Sequence, residues 1–307
     1  MPQPIWVSGE ALIDLLPGDA SDSLRAIVGG GPANSAIALG RLGVPVKFVG
    51  GLSRDHFGKQ ISAQFAVSGV DLDLAVWSDL PTCLAVVSID DTGKATYYFH
   101  TKGTATFNFD TSLLPDPVLA PPSALYVGTL ATVIEPGAGK LLEWSKRVAE
   151  HAPVVFDPNI RTSILSDRVA YRSAVQPWAE IASVIKVSDD DLHFLFPDQD
   201  VIDSARNWLS PSCPLVVITR GENGLFGVTE DAIVEVPAVK TKVVDSVGAG
   251  DTIGAVIVEA LMKYKVSELR DKLLREVLAR AAKAAAITCS RAGCNPPSAA
   301  EIDEEMK

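Results

Sequence analysis

The stretch VVDSVGAGDTIGA, residues 243–255, sets three small residues, Gly248, Ala249 and Gly250, directly before Asp251 at the expected start of a helix. A turn built this way leaves backbone N–H groups uncovered, and the helix behind it adds the positive end of its dipole, so the spot suits an anion. An aspartate in the same place would repel one. The conflict disappears if the anion is a phosphoryl group in transfer. The turn of Gly248, Ala249 and Gly250 then steadies the charge on the moving group, and the Asp251 carboxylate takes the proton of the attacking hydroxyl. A helix N-terminus favours the ionised carboxylate, so Asp251 is expected to be ready as a base at neutral pH.

Other phosphate sites compete for this reading. GGLSRDHFGKQ and IEPGAGKLL both lack the spacing and the hydroxyl of a P-loop. Gly248, Gly250 and Gly254 fit a loose dinucleotide-binding GxGxxxG, but SELRDKLLREVLARAAKAAA follows as a second helix, where that fold needs a strand ending in an acid. A purely structural glycine turn with a capping aspartate is the plainer alternative.

Outward from this turn, short apolar runs alternate with amphipathic stretches: IWVSG then GPANSAIALGRLG, VKFVGG then FGKQISAQFAVSG, ALYVGTL then AGKLLEWSKRVAEHA, PVVFDPN then VAYRSAVQPWAEIASVIKVS. Strand and helix in alternation predict an α/β fold with a mostly parallel central sheet covered by helices on both faces. One segment departs from it. From Leu72 to Thr106 the pattern is strand-like, with a turn at Asp91, Thr92, Gly93 and Lys94 between VVSI and ATYYF. This reads as a small β insertion of the kind that serves as a lid, to which part of 10–30 can belong. Its strands are apolar at both alternations, so a second subunit is expected to cover the outer face, giving a homodimer. GENGLFGVTEDAIVEV, residues 221–236, predicts a further hairpin. The whole chain, 1–307, is expected to be one such domain.

The bulk properties agree with a globular protein: 307 residues with 47% apolar side chains. A net charge of −11 argues against nucleic acid and anionic membranes as partners. MPQPIWVSGE has no basic segment ahead of an apolar run, and no window nears the ~20 apolar residues of a membrane span, so a cytoplasmic protein is expected. Cys83, Cys213, Cys289 and Cys294 lack CxxC spacing and are expected as buried free thiols, and four scattered histidines offer no zinc site.

Two motifs together carry a family resemblance. DSVGAGD resembles the C-terminal signature of the ribokinase-like (PfkB-type) carbohydrate kinases, and GGGPANSAIALGRLG, residues 29–43, resembles their N-terminal one. Within that family GEALIDLLP, VVFDPNIR and KVSDDDLHFL are most similar to fructokinases. The resemblance covers nearly the whole chain. It implies a ribokinase-like three-layer sandwich with a small β-sheet lid, ATP as phosphoryl donor, Mg²⁺, a monovalent cation such as K⁺, and a sugar hydroxyl as acceptor. A small-molecule sugar and ATP are thus the implied partners.

The same resemblance assigns roles. Asp14 matches the sugar-binding aspartate, and Gly29, Gly30 and Asn34 match sugar contacts, although the glycines also simply turn the chain into a helix at Pro32. Asp157, Asn159 and Arg161 follow a predicted strand, where ligands of open α/β sheets gather. Arg161 is the candidate cation for phosphate or sugar, and Asn159 for phosphate or metal-bound water. Ser188 and Asp191 stand where the family often acts through water on Mg²⁺, and they equally read as a capping box. Thr219, Gly221 and Gly224 match the nucleotide loop, with Arg220 in place of a commonly apolar residue. Asp245, Val247 and the turn from Arg291 to Asn295 are where the monovalent cation is expected. Ile253 replaces the usual Phe beneath the turn. The expected activity is an ATP-dependent sugar kinase acting on a primary hydroxyl, with a ribose or 2-keto-3-deoxygluconate kinase, or a catalytically silent sugar-binding regulator, as alternatives.

Overall fold

In a computed structural model of the chain, residues 3–18, 20, 22–89 and 95–304 are described. The strands in chain order are β1 (Ile5–Ser8), β2 (Leu12–Pro17), β3 (Leu24–Gly29), β4 (Val46–Phe48), β5 (Gly51–Ser53), β6 (Val70–Asp71), β7 (Val76–Ser78), β8 (Leu84–Ile89), β9 (Ala95–His100), β10 (Ala124–Gly128), β11 (Val154–Asp157), β12 (Val184–Ser188), β13 (Leu215–Thr219), β14 (Leu225–Val228) and β15 (Ile233–Val236). The helices are α1 (Gly31–Arg41), α2 (His56–Val67), α3 (Gly137–Ala149), α4 (Arg168–Ile181), α5 (Asp189–Leu195), α6 (Val201–Arg206), α7 (Ala249–Ala260), α8 (Asp271–Cys289) and α9 (Ala299–Glu304).

A nine-stranded sheet runs β15-β14-β13-β12-β11-β10-β1-β4-β6. Every pairing from β6 to β13 is parallel, and only the terminal β13–β14–β15 meander is antiparallel. The central strands are apolar throughout because both faces are covered, and alternate residues serve different layers. Val7, Tyr126, Val155, Val184 and Val217 join one cluster with α1, α7 and α8. Trp6, Val127, Phe156, Ile185 and Val216 join another with α3, α4 and α5. The chain therefore forms three layers, as its alternation of strands and helices predicts.

A separate four-stranded sheet, β3-β2-β8-β9, stands beside the large one. Its strands come from two chain segments, and the strand-like run from Leu72 to Thr106 divides among sheets: β7 pairs with β5, while β8 and β9 enter the small sheet. The turn expected at Asp91, Thr92, Gly93 and Lys94 lies outside the described residues, and the strands flanking it pair antiparallel, Leu84 opposite His100 through Ile89 opposite Ala95. Register puts Asp14, Ala85 and Phe99 in line on one face of this sheet and Leu15, Val86 and Tyr98 on the other. Among the described residues no helix is long and apolar enough to cross a membrane. The four cysteines are free, but only Cys83 and Cys213 are fully buried; Cys289, the last residue of α8, and Cys294, in the turn after it, are partly exposed.

Candidate active site

The order of the large sheet reverses at β1. From it the chain runs outward to β4 and β6, then returns to the other side as β10. In open α/β sheets the crevice at such a reversal, beyond the carboxyl ends of the strands, is where ligands bind. A cleft of about 410 Å³ lies there, and the small sheet forms its other wall. Glu10, Leu130, Asn159 and Lys186 line it from the ends of β1, β10, β11 and β12. Leu12, Asp14, Tyr97 and Phe99 line it from the small sheet, and Ser246, Val247, Gly248, Gly250 and Asp251 from the turn into α7.

That turn has the geometry its residues call for. Gly248 caps α7 at φ +80°, a left-handed conformation that glycine adopts without strain, and a methyl there would also meet Cys294 Sγ at 2.3 Å. Asp251, in the first turn of α7, is only 6% exposed. Its Oδ2 accepts from Asn34 Nδ2 at 2.9 Å, and its carbonyl accepts from Ser35 Oγ at 3.2 Å. The N-termini of α1 and α7 therefore converge: a methyl on Gly31 would stand 3.2 Å from Asp251 Oδ1. Burial pushes the Asp251 carboxyl up to about 6, against the opposing pull of Lys186 and Asn34. The helix-dipole argument from sequence alone omits this desolvation, which is the larger effect. Asp251 is still mostly ionised at pH 7. Ile253 lies in the buried cluster shared by α1, α7 and α8.

On the opposite wall, Asp14 projects from β2 toward the cleft. A methyl on Gly29 would lie 2.0 Å from Asp14 Oδ2, so the glycine makes room for the carboxylate instead of lining the cleft itself. Burial raises Asp14 to about 6, and the nearby Arg161 charge works against the rise. Arg161 is steadied by its own loop: Nη1 donates to Asn159 Oδ1 at 2.7 Å and to the Ile160 carbonyl at 3.0 Å. Asn159 adopts φ +37°, which turns its side chain toward Gly31.

Other expected residues stand back from the cleft. Ser188 and Asp191 form a reciprocal capping box on α5, and Asp191 Oδ1 also accepts from the Ile160 N–H at 3.0 Å. Both Asp191 oxygens thus serve backbone donors behind the wall that holds Asn159 and Arg161. Thr219 ends β13, with Gly221 and Gly224 in the turn after it, and Ala249 opens α7; none of these four lines the cleft. Arg220 is turned onto its own hairpin, 3.5 Å over the Phe226 ring and 2.8 Å from Glu235 Oε1, so its charge is spent locally. Asp245 ties the α7 turn to the turn after α8: Oδ1 accepts from Val247 N–H at 3.0 Å and Oδ2 from Gly293 N–H at 2.9 Å.

Sequence reasoning missed two polar groups, Glu10 and Lys186, and named Asp157 without its partner. Glu10, inside the quoted GEALIDLLP, is buried and accepts from the Thr129 hydroxyl and from Ala131 N–H, and burial raises it to about 7 despite those bonds. It holds Thr129, a β-branched residue at φ +58°, in a left-handed conformation. Lys186 and Asp157 form a buried ion pair at 2.7 Å, and Tyr126 Oη donates to the same Asp157 Oδ2 at 2.9 Å. Burial opposes the charge on Lys186, but Asp157, Asp251 and Asp191 outweigh it and lift the ammonium above the ordinary lysine value. Lys186 occupies a strand position and pairs with a residue 29 places earlier, so no local spacing announces it.

A buried carboxylate beside the Gly248 and Gly250 N–H groups, facing a second acid across one cleft, suits transfer of an anionic group to a hydroxyl. The family model for pfkB family carbohydrate kinases matches residues 5–301. The chain belongs to the pfkB family of carbohydrate kinases. Within that family it is similar to a fructokinase of Rhizobium leguminosarum bv. trifolii, 34% identical over 280 residues, which span 88% of this chain and 85% of that protein. Among solved structures it resembles a fructokinase from Xylella fastidiosa with bound ATP, with a TM-score of 0.89, 25% identity and full coverage of both chains. A double-mutant fructokinase from Vibrio cholerae O395, solved with fructose, ADP and potassium, shares the fold with a TM-score of 0.87 at 24% identity, covering 99% of this chain and 98% of that one. This chain and both solved structures thus share one fold.

Among the described residues no cluster of His, Cys, Asp or Glu could cage a metal ion.

Proposed function

We propose that the protein is an ATP-dependent fructokinase, transferring the terminal phosphoryl group to a primary hydroxyl of D-fructose. The observation that carries this reading is the placement of Asp251 and Asp14 on opposite walls of one cleft, with the α1 and α7 N-termini between them. Asp14 accepts hydroxyl hydrogens of the sugar, with Gly30 and Asn34 beside it, and so sets which hydroxyl faces Asp251. Asp251 takes that hydroxyl's proton. The N–H groups of Gly248 and Gly250 hold the oxygens of the phosphoryl group as the bond to the leaving ADP breaks and the bond to the sugar oxygen forms, while the Ala249 N–H, donated to the Ser246 carbonyl at 3.2 Å, keeps the turn in shape. Arg161, fixed by Asn159, adds a cation at the same rim. Fructose is favoured over other sugars by the fructokinases among the relatives.

The nucleotide base and ribose are assigned to the side of Thr219, Gly221, Gly224 and Ser188, which continues the same sheet edge. Asp191 supports the Asn159 loop, and any link from it to Mg²⁺ runs through water. A potassium ion is assigned to the junction of Asp245, Val247 and the turn from Arg291 to Asn295, which the Asp245 hydrogen bonds draw together. The small sheet acts as a lid, and its outer face as the contact of a homodimer: Leu24 and Tyr98 there are 57% and 58% exposed.

A coupled assay of ADP formation with MgATP, with and without K⁺, across fructose, ribose and 2-keto-3-deoxygluconate tests the assignment. Turnover with fructose well above the other sugars supports it. A preference for ribose or the keto-deoxy acid overturns the substrate, and a folded protein that turns over none of them overturns the kinase.

A further inference from the structure

The three glycines of the GxGxxxG pattern each answer to a different neighbour, and two of those neighbours belong to one buried chain of polar groups. Gly250 and Gly254 are four residues apart and so share a face of α7. A methyl on Gly254 would meet the Tyr126 ring at 2.9 Å, and a methyl on Gly250 would meet Lys186 Nζ at 3.2 Å. Tyr126 and Lys186 both bind Asp157 Oδ2, at 2.9 Å and 2.7 Å. An ammonium has three N–H donors, and among the described residues Asp157 is the only hydrogen-bond partner of this one. The Lys186 side chain is 5% exposed, and that opening is onto the cleft, at the foot of the turn that carries Asp251. A lysine kept only to neutralise Asp157 has no need to reach the cleft, and α7 has no need of a glycine to let it through.

We infer that Lys186 is a further catalytic residue, whose ammonium passes Gly250 to contact the phosphoryl group in transfer, and that Tyr126 and Asp157 are positioning residues that hold it there. The inference deepens the kinase reading and rests on it. In the transfer, the bond from phosphorus to the β–γ bridging oxygen breaks with its electron pair leaving on ADP, a bond to the sugar oxygen forms, and the hydroxyl proton passes to Asp251. Lys186 stays protonated throughout. Its charge faces the equatorial oxygens from the floor of the cleft, where little water competes, while the turn's N–H groups face them from α7.

The test uses the full-length protein and its Lys186→Met and Tyr126→Phe variants. Steady-state kinetics are measured with fructose and MgATP, and calorimetry compares ADP with the imido analogue of ATP. For Lys186→Met, kcat is expected to fall on the order of 100-fold, as for loss of one charge-stabilising donor. Fructose KM and ADP affinity are expected to change little, while affinity for the analogue, which alone carries the third phosphate, falls. A purely structural role would not produce that split. An unchanged kcat, or equal weakening of ADP and analogue, overturns the inference. If Lys186→Met does not fold, Tyr126→Phe decides: the same split at smaller size supports it, and wild-type kcat overturns it. Wild-type protein that phosphorylates no sugar would sink the kinase reading separately, and the comparison of ADP with the analogue would still judge Lys186.

Discussion

At Asp251 two effects compete, and their sizes decide the chemistry. A helix N-terminus contributes at most a few tenths to about 2 kcal/mol to a carboxylate, whereas full burial can shift a pKa by several units. Burial wins, and the carboxyl titrates near 6. The base works only when ionised, so kcat/KM should rise as pH increases through about 6 and level off above it. Asp14 titrates in the same window, so the acid limb should be steeper than one proton requires. A pH–rate profile checks this; a limb near the ordinary aspartate value of about 4 would mean that the site is wetter than it is drawn. Asp251→Asn keeps the shape and the contact to Asn34 but cannot accept the proton. Its kcat should drop by roughly 10²–10⁴ with fructose binding nearly unchanged, as read by steady-state kinetics and calorimetry. Asp251, Asn34 and Asp14 were legible because each sits in a short motif whose neighbours explain it. Lys186 was not, because it is a lone polar residue inside an apolar strand until the sheet brings β11, with Asp157, against β12.

At the scale of elements, the strand-to-helix junctions do most of the positioning. The junction of β12 and α5 is closed by the Ser188–Asp191 box, and the same Asp191 holds Ile160, next to Asn159 and Arg161. Ser188→Ala should cost about 1 kcal/mol, the usual price of a lost N-cap, visible as a lower denaturant midpoint. It should also raise the KM for ATP, because the loop carrying Arg161 loses part of its support. An unchanged KM with lowered stability would confine the box to capping. The sequence pattern located these elements well, since alternation in β10 to β13 and amphipathic α3 and α4 leave little choice of layer. It could not say which sheet a short strand would join. Val76–Ser78 and Leu84–Ile89 look alike in sequence, yet one pairs with Gly51–Ser53 and the other with Leu12–Pro17, because pairing depends on segments far away in the chain.

For the molecule as a whole, the cleft gathers three carboxyls that burial raises: Glu10 to about 7, Asp14 to about 6 and Asp251 to about 6. A raised folded-state pKa means that the folded protein holds these protons more tightly than the unfolded chain. The associated stability is present below the unfolded values near 4 and is lost as pH rises through 6 to 7. The ligand-free protein should therefore melt at a higher temperature near pH 5 than near pH 8, as scanning calorimetry would read; a flat or reversed trend would place these groups in contact with water. The outer face of the small sheet makes the second prediction at this scale. Tyr98→Lys should shift sedimentation toward the monomer at micromolar concentration if that face joins two copies, and a wild-type monomer would remove the dimer. The two acids to which the proposal gives sugar binding and proton removal belong to different layers, Asp14 to the four-stranded sheet and Asp251 to the helix layer on the nine-stranded one. On those roles a bound sugar joins the two layers. Under the proposed roles this split ties phosphoryl transfer to the presence of a sugar, and ATP hydrolysis in its absence is expected to be slow.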